Sequence, residues 1–94
     1  MIYSMGQIQY EEDLLLDELL TESRKLVIYN DDINTFDHVI SCLVEICRHD
    51  ALQAEQCALL IHYKGKAVVK EGEADKIRVM CEGLCDRGLS AVME

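Results

Sequence analysis

From Thr35 to Cys47 the apolar residues Phe36, Val39, Ile40, Leu43, Val44 and Cys47 recur every three or four positions. That period lines one face of an α-helix, and such a face must be covered by something else in the chain. The cover is supplied by short β-branched runs. Lys25-Leu26-Val27-Ile28-Tyr29 reads as a strand before this helix, stopped by the turn formers Asn30 to Asn34, with Asn34 the expected N-cap. Asp50-x-x-Gln53 has the form of a capping box. It opens a second helix with the stripe Ala54, Cys57, Ala58, Leu60 and Ile61, ending near His62. After a turn over Tyr63 to Lys66, Ala67-Val68-Val69 reads as a strand. Gly72 introduces a third helix over Glu73–Asp86 whose face is Ile77, Met80, Cys81, Leu84 and Cys85. Gly88 stands where a C-terminal glycine belongs, and Leu89 to Met93 forms a last strand. The order β-α-α-β-α-β predicts an α+β open-faced sandwich: a three-stranded antiparallel sheet with helices on one side.

Ninety-four residues, half of them hydrophobic, suffice for one domain on a single core. With one phenylalanine and no tryptophan, that core must rest on aliphatic side chains and thiols. No apolar run approaches the roughly 18–20 residues of a membrane span. The first ten residues lack the pattern of a secretory signal, so a cytoplasmic protein is expected. A formal charge of −9 argues against nucleic acid as a partner. The charge is uneven. Glu11, Glu12, Asp13, Asp17, Glu18 and Glu22 precede the first basic residue, Arg24, whereas 12 acids face 9 bases from there on. The chain therefore divides into an acidic N-terminal extension, 1–23, and a domain, 24–94. Leucines at 15, 16, 19 and 20 give the extension helical spacing, either for packing on the domain or for touching a partner. The five cysteines form no C-x-x-C pair, so buried thiols are expected rather than metal ligands or disulfides, and no cofactor is implied.

Catalytic signatures are missing: there is no G-x-S-x-G, no H-E-x-x-H and no phosphate-cradling glycine loop. Cys57 and His62, five apart on one predicted helix, point to different faces and make a poor nucleophile–base pair. The unusual feature is Asn30-Asp31-Asp32 at a strand end, with His62 at the end of a helix. On composition these residues read first as turn formers beside a packed histidine, and the alternative is a converging set of hydrogen-bond acceptors for an ammonium group.

Two segments carry a resemblance. Val27-Ile-Tyr-Asn-Asp-Asp-x-x-Thr-Phe-Asp-His-Val-Ile and, further on, Ala58-Leu-Leu-Ile-His-Tyr-Lys-Gly-Lys-Ala67 together closely resemble the ClpS adaptor family. The Thr-Phe-Asp-His variant is similar to members from Bacteroidetes, and the likeness spans about residues 25–94. It implies a fold like the C-terminal domain of a ribosomal stalk protein. It also implies an adaptor, not an enzyme, which binds N-terminal peptides beginning with Leu, Phe, Tyr or Trp (N-degrons) and hands them to the N-domain of a ClpA- or ClpC-type unfoldase. By motif, Asn30, Asp31 and His62 would hold the α-amino group. Asn34, Phe36, Val39, Ala58, Ile61 and Leu89 would line the side-chain pocket. Phe36 stands where the family usually has a flexible gatekeeper, and Ala58 where it commonly has a methionine. The loop after Val69 is shorter than usual, and Glu71 and Lys76 best keep the acidic–basic spacing of the unfoldase-docking surface. The alternative of another class is a non-catalytic assembly module of stalk-like fold, which gives no reason for Asn-Asp-Asp paired with His-Tyr.

Overall fold

The structure, a computed structural model, describes residues 22–94. The acidic extension therefore falls outside the described residues except for Glu22 and Ser23, and Ser23 already belongs to the first strand. Six elements follow: β1 (Ser23–Tyr29), α1 (Phe36–Cys47), α2 (Ala51–Lys64), β2 (Lys66–Glu73), α3 (Ala74–Asp86) and β3 (Ser90–Met93). The sheet is antiparallel in the order β2-β1-β3, so the first strand is the central one. Fold class and element order match the expectation.

The central position explains why Leu26, Val27 and Ile28 are all buried although they alternate faces. Leu26 and Ile28 join the core with residues from all three helices, among them Leu43, Ala58, Ile77 and Leu84. Val27 lies on the opposite face, yet only 3% of its surface is exposed. Its cross-strand neighbours Val68 and Val92 flank it, so a valine stripe crosses the open side of the sheet. Burying each large aliphatic side chain of the core contributes about 1.5–3 kcal/mol.

Strand β2 is longer than the Ala67–Val69 run that reads as a strand. Lys70 to Glu73 have little intrinsic strand preference, but pairing with Ser23 to Leu26 holds them extended. Between Leu26 and Val27 the register steps by one residue, which leaves Val69 without a partner on β1. The carbonyl of Val69 instead accepts from Nε2 of His49 at 2.7 Å. His49 is 3% exposed. It reaches this position because Arg48 ends α1 in the left-handed conformation (φ 61°), turning the chain sharply inward. Nearby, Lys70 Nζ donates to the carbonyl of Cys47 at 3.0 Å, satisfying an end-of-helix acceptor.

Four local expectations are corrected. Thr35, not Asn34, caps α1, its hydroxyl accepting from the N–H of His38 at 3.1 Å. Helix α2 continues two residues past His62, and Leu60 is 47% exposed rather than part of the buried face. Cys85 is exposed and Cys81 and Cys57 are only half-buried, so the thiols of the core proper are Cys42 and Cys47. Burial pushes the Cys47 thiol up to about 11, so it stays protonated at neutral pH. Asp50 does cap α2, accepting from Gln53 N–H at 2.8 Å.

Gly65 closes α2 at φ 90°, and a Cβ built there would meet nothing within 4 Å. Gly65→Ala should therefore cost only the left-handed backbone penalty, about 1–2 kcal/mol. Urea unfolding measures it, and an unchanged midpoint would show that the turn tolerates a side chain.

Candidate functional site

The hydrogen-bond ladder decides what meets at the end of β1. Tyr29 pairs with Lys66, the first residue of β2, and the next N–H, that of Asn30, donates to the carbonyl of Gly65 at 2.8 Å. The turn after β1 is thereby fastened to the end of α2, one helical turn from His62. Between them lies an open hollow of about 550 Å³. Asn30, Asp31, Asp32, Asn34 and His62 supply its polar margin. Phe36 and Val39 from α1 and Ala58, Leu59 and Ile61 from α2 supply the apolar wall, with Tyr63 beside His62.

Asp31 organises the turn. Its Oδ1 accepts from the backbone N–H groups of Ile33 (3.0 Å) and Asn34 (2.9 Å). Its Oδ2 accepts from the Ser90 hydroxyl (3.1 Å), and the Asn34 side-chain amide lies 2.9–3.0 Å from both oxygens. Four donors nearly fill the lone-pair sites of one carboxylate. The Asn34 backbone N–H is the main reason its carboxyl is held below the usual range; Ile33, the Asn34 amide and Ser90 act the same way, and partial desolvation opposes them. The Asn34 amide also donates to the carbonyl of Gly88 at 2.9 Å, which ties the turn to the start of β3. That tertiary use of Asn34 is why the cap of α1 passes to Thr35.

Asn30 and His62 differ from Asp31. Among the described residues neither side chain has a hydrogen-bond partner within the protein, and both are exposed on the rim. The His62 ring meets the Tyr63 ring edge-on, with centroids 5.0 Å apart. An exposed amide and an exposed imidazole thus border the hollow, beside a locked carboxylate charge.

Of the residues singled out beforehand, Asn30, Asp31, His62, Asn34, Phe36, Val39, Ala58 and Ile61 border this one hollow. Leu89 does not. It is buried and lines an adjoining small void of about 20 Å³, which shares Asn30, Asp31, Asn34, Val39 and Ile61 with the hollow. Glu71 and Lys76 lie elsewhere, Glu71 opposite Lys25 on β2 and Lys76 in the first turn of α3, both exposed. Five residues of extended chain, roughly 16 Å, separate Glu71 from the Lys66 end of the strand. Leu59 and Ser90 are the additions: Leu59 belongs to the wall, and Ser90 braces Asp31. Leu59 follows Ala58 inside the helical pattern and could have been placed on the rim; Ser90, 59 residues from Asp31, left no local signal.

A second cluster lies away from the hollow. His38 Nε2 donates to the carbonyl of Arg87 at 2.9 Å and sits 3.5 Å from Cys42 Sγ, while Arg87 forms an ion pair with Glu45. Burial raises the Cys42 thiol, outweighing Arg87. Cys57 is likewise raised by burial. Neither thiol is activated in the way a nucleophile requires. Among the described residues no group of three metal-ligating side chains converges, and no helix is long and apolar enough to cross a membrane.

Against known families, the sequence model of "ATP-dependent Clp protease adaptor protein ClpS" matches residues 21–91. This chain belongs to the ClpS family. A ClpS adaptor of Thermosynechococcus vestitus is 34% identical over 67 residues, covering 70% of this chain and 71% of its own. One from Corynebacterium diphtheriae is 26% identical over 93 residues, covering 97% and 82%. Agrobacterium tumefaciens ClpS2, solved bound to L-phenylalaninamide, superposes with a TM-score of 0.75 over 79% of this chain and 96% of that one, at 22% identity. The ClpS fold is therefore present, and the chain is an adaptor of the ATP-dependent Clp protease system.

The depressed Asp31 carboxyl makes a pH prediction. Its folded value lies below the unfolded one of about 3.9. Its stabilising contribution is therefore complete above that pH and is lost as pH falls through the folded value. Asp31→Asn should lose about 1–2 kcal/mol at neutral pH and show a shallower fall in stability below pH 4. Chemical denaturation at pH 7 and pH 3 tests this; parallel pH profiles would exclude Asp31 as the source.

Proposed function

We propose that the hollow binds the free N-terminal residue of a substrate protein, with a large apolar side chain inside and the α-ammonium at the polar margin. The observation that carries this is the coincidence of Asn30 and His62, whose side chains have no hydrogen-bond partner among the described residues, with the fixed negative charge of Asp31 on the lip of a cavity with an apolar wall. An ammonium has three donors and no acceptor, so amide oxygen and neutral imidazole nitrogen suit it. Asp31, its lone pairs already engaged, contributes charge and fixes the turn that follows Asn30. Phe36, Val39, Ala58 and Ile61 contact the side chain of Leu, Phe, Tyr or Trp, and Asn34 borders it while tying the turn to the approach of β3.

In this reading the protein catalyses no reaction. It works in the cytoplasm and passes its cargo to the N-domain of a ClpA- or ClpC-type unfoldase, docking through the exposed surface of Glu71 and Lys76. Agrobacterium tumefaciens ClpS2, a protein of the same fold solved bound to L-phenylalaninamide, supports the choice of ligand. Burying a Leu or Phe side chain contributes about 1.5–3 kcal/mol. Each charge-assisted hydrogen bond contributes a similar amount, about 1.5–3 kcal/mol. The cost of association offsets much of that sum, which keeps the net affinity modest. Capture at that strength is reversible, as delivery requires.

N-acetylation removes the ammonium charge and two donors. Acetylating a Phe-initiated peptide should weaken binding by at least about 2 kcal/mol, and Asn30→Ala should have a similar effect on the free peptide. Fluorescence anisotropy reads both. Equal affinity for free and acetylated peptides would reject the site.

A further inference from the structure

Helix α2 is apolar on two faces. Ala54, Ala58 and Ile61 are buried in the core, while Leu59, Leu60 and Tyr63 on the outer side are 40%, 47% and 77% exposed. A helix apolar on both sides ordinarily has a partner on each. The outer residues border a shallow trough of about 350 Å³, closed at its edges by Gln56 and Lys64. Leu59 and Tyr63 line this trough and the hollow alike, so the two are continuous across one turn of α2.

We propose that this trough is a second subsite of the same binding face, taking an apolar side chain from the residues that follow the substrate's first one. This inference rests on the reading that the hollow holds that first residue. The continuity names the occupant. A chain whose ammonium is fixed at Asn30 and His62 must leave the hollow past a wall, and Leu59 and Tyr63 form the wall shared with the trough. An extended peptide advances about 3.3 Å per residue, so the residues two to four places in come within reach of it. The surroundings match the chemistry of a peptide: Leu60 offers apolar area, while the Lys64 ammonium and the Gln56 amide can donate to its carbonyls. Substrates would then be sorted by an apolar residue near the N-terminus as well as by the first residue itself.

The test compares L-phenylalaninamide, which can fill only the hollow, with Phe-initiated hexapeptides of otherwise serine sequence that carry one leucine at position two, three or four. Wild-type protein should bind at least one leucine peptide about fivefold to tenfold more tightly than the all-serine peptide. Leu60→Glu should abolish that gain and leave affinity for L-phenylalaninamide unchanged. Leu60 lies outside the core, and circular dichroism verifies that the variant is folded. No gain at any position, or a gain that survives in Leu60→Glu, overturns the subsite. Sedimentation showing a concentration-dependent dimer that Leu60→Glu dissolves, with no leucine gain, would assign the trough to a second copy of the chain and overturn it too. Failure of wild-type protein to bind L-phenylalaninamide at all would instead defeat the reading of the hollow itself.

Discussion

Antiparallel pairing of β1 with β2 sets everything else in this domain. It carries the end of the first strand to the end of α2, residues more than thirty positions apart in sequence, and the Asn30 N–H to Gly65 carbonyl bond seals the junction. Without that register Asn30 and His62 have no reason to be neighbours. With it, the apolar faces of α1 and α2 are left slightly open just where two polar segments meet. The hollow is thus the unfilled end of the helix–sheet interface.

Tension exists within the polar margin, and its resolution is instructive. A turn rich in Asn and Asp could satisfy itself entirely, leaving nothing for a ligand. Here the labour is divided. Asp31 and Asn34 are spent on internal bonds, including ties to Gly88 and Ser90 on the third strand's approach, and they hold the turn rigid. The side chains of Asn30 and His62 stay without partners among the described residues. A fixed charge next to open acceptors needs no rearrangement when a cation arrives, which is the condition for electrostatic recognition without a large ordering cost.

Much of this was legible beforehand, for identifiable reasons. Helix periods with clear caps, as in Asp50 and Gly88, locate the helices to within a residue or two, and the β-branched run Leu26–Ile28 marks the central strand. The margin of the hollow was visible through paired motifs rather than through any single residue. Other features depend on distant contacts. Asn34 looks like a cap until Gly88, 54 residues on, claims its amide. Lys70 to Glu73 extend a strand only because β1 lies beside them. Leu60 falls in an apolar pattern too wide to say which side faces inward. The burial of His49 follows from a left-handed Arg48, a conformation no local rule assigns to arginine.

The polar turn also grows out of the strand that is bonded along both edges. Central strands open only when most of a small domain opens with them, so the point from which the turn starts, Tyr29, is held as firmly as the domain itself. Whatever occupies the hollow is then thermodynamically linked to the folding of the entire domain, and its affinity adds to the domain's resistance to unfolding. In the proposed reading, cargo leaves by slipping out of a socket whose supporting strand opens only together with the adaptor itself.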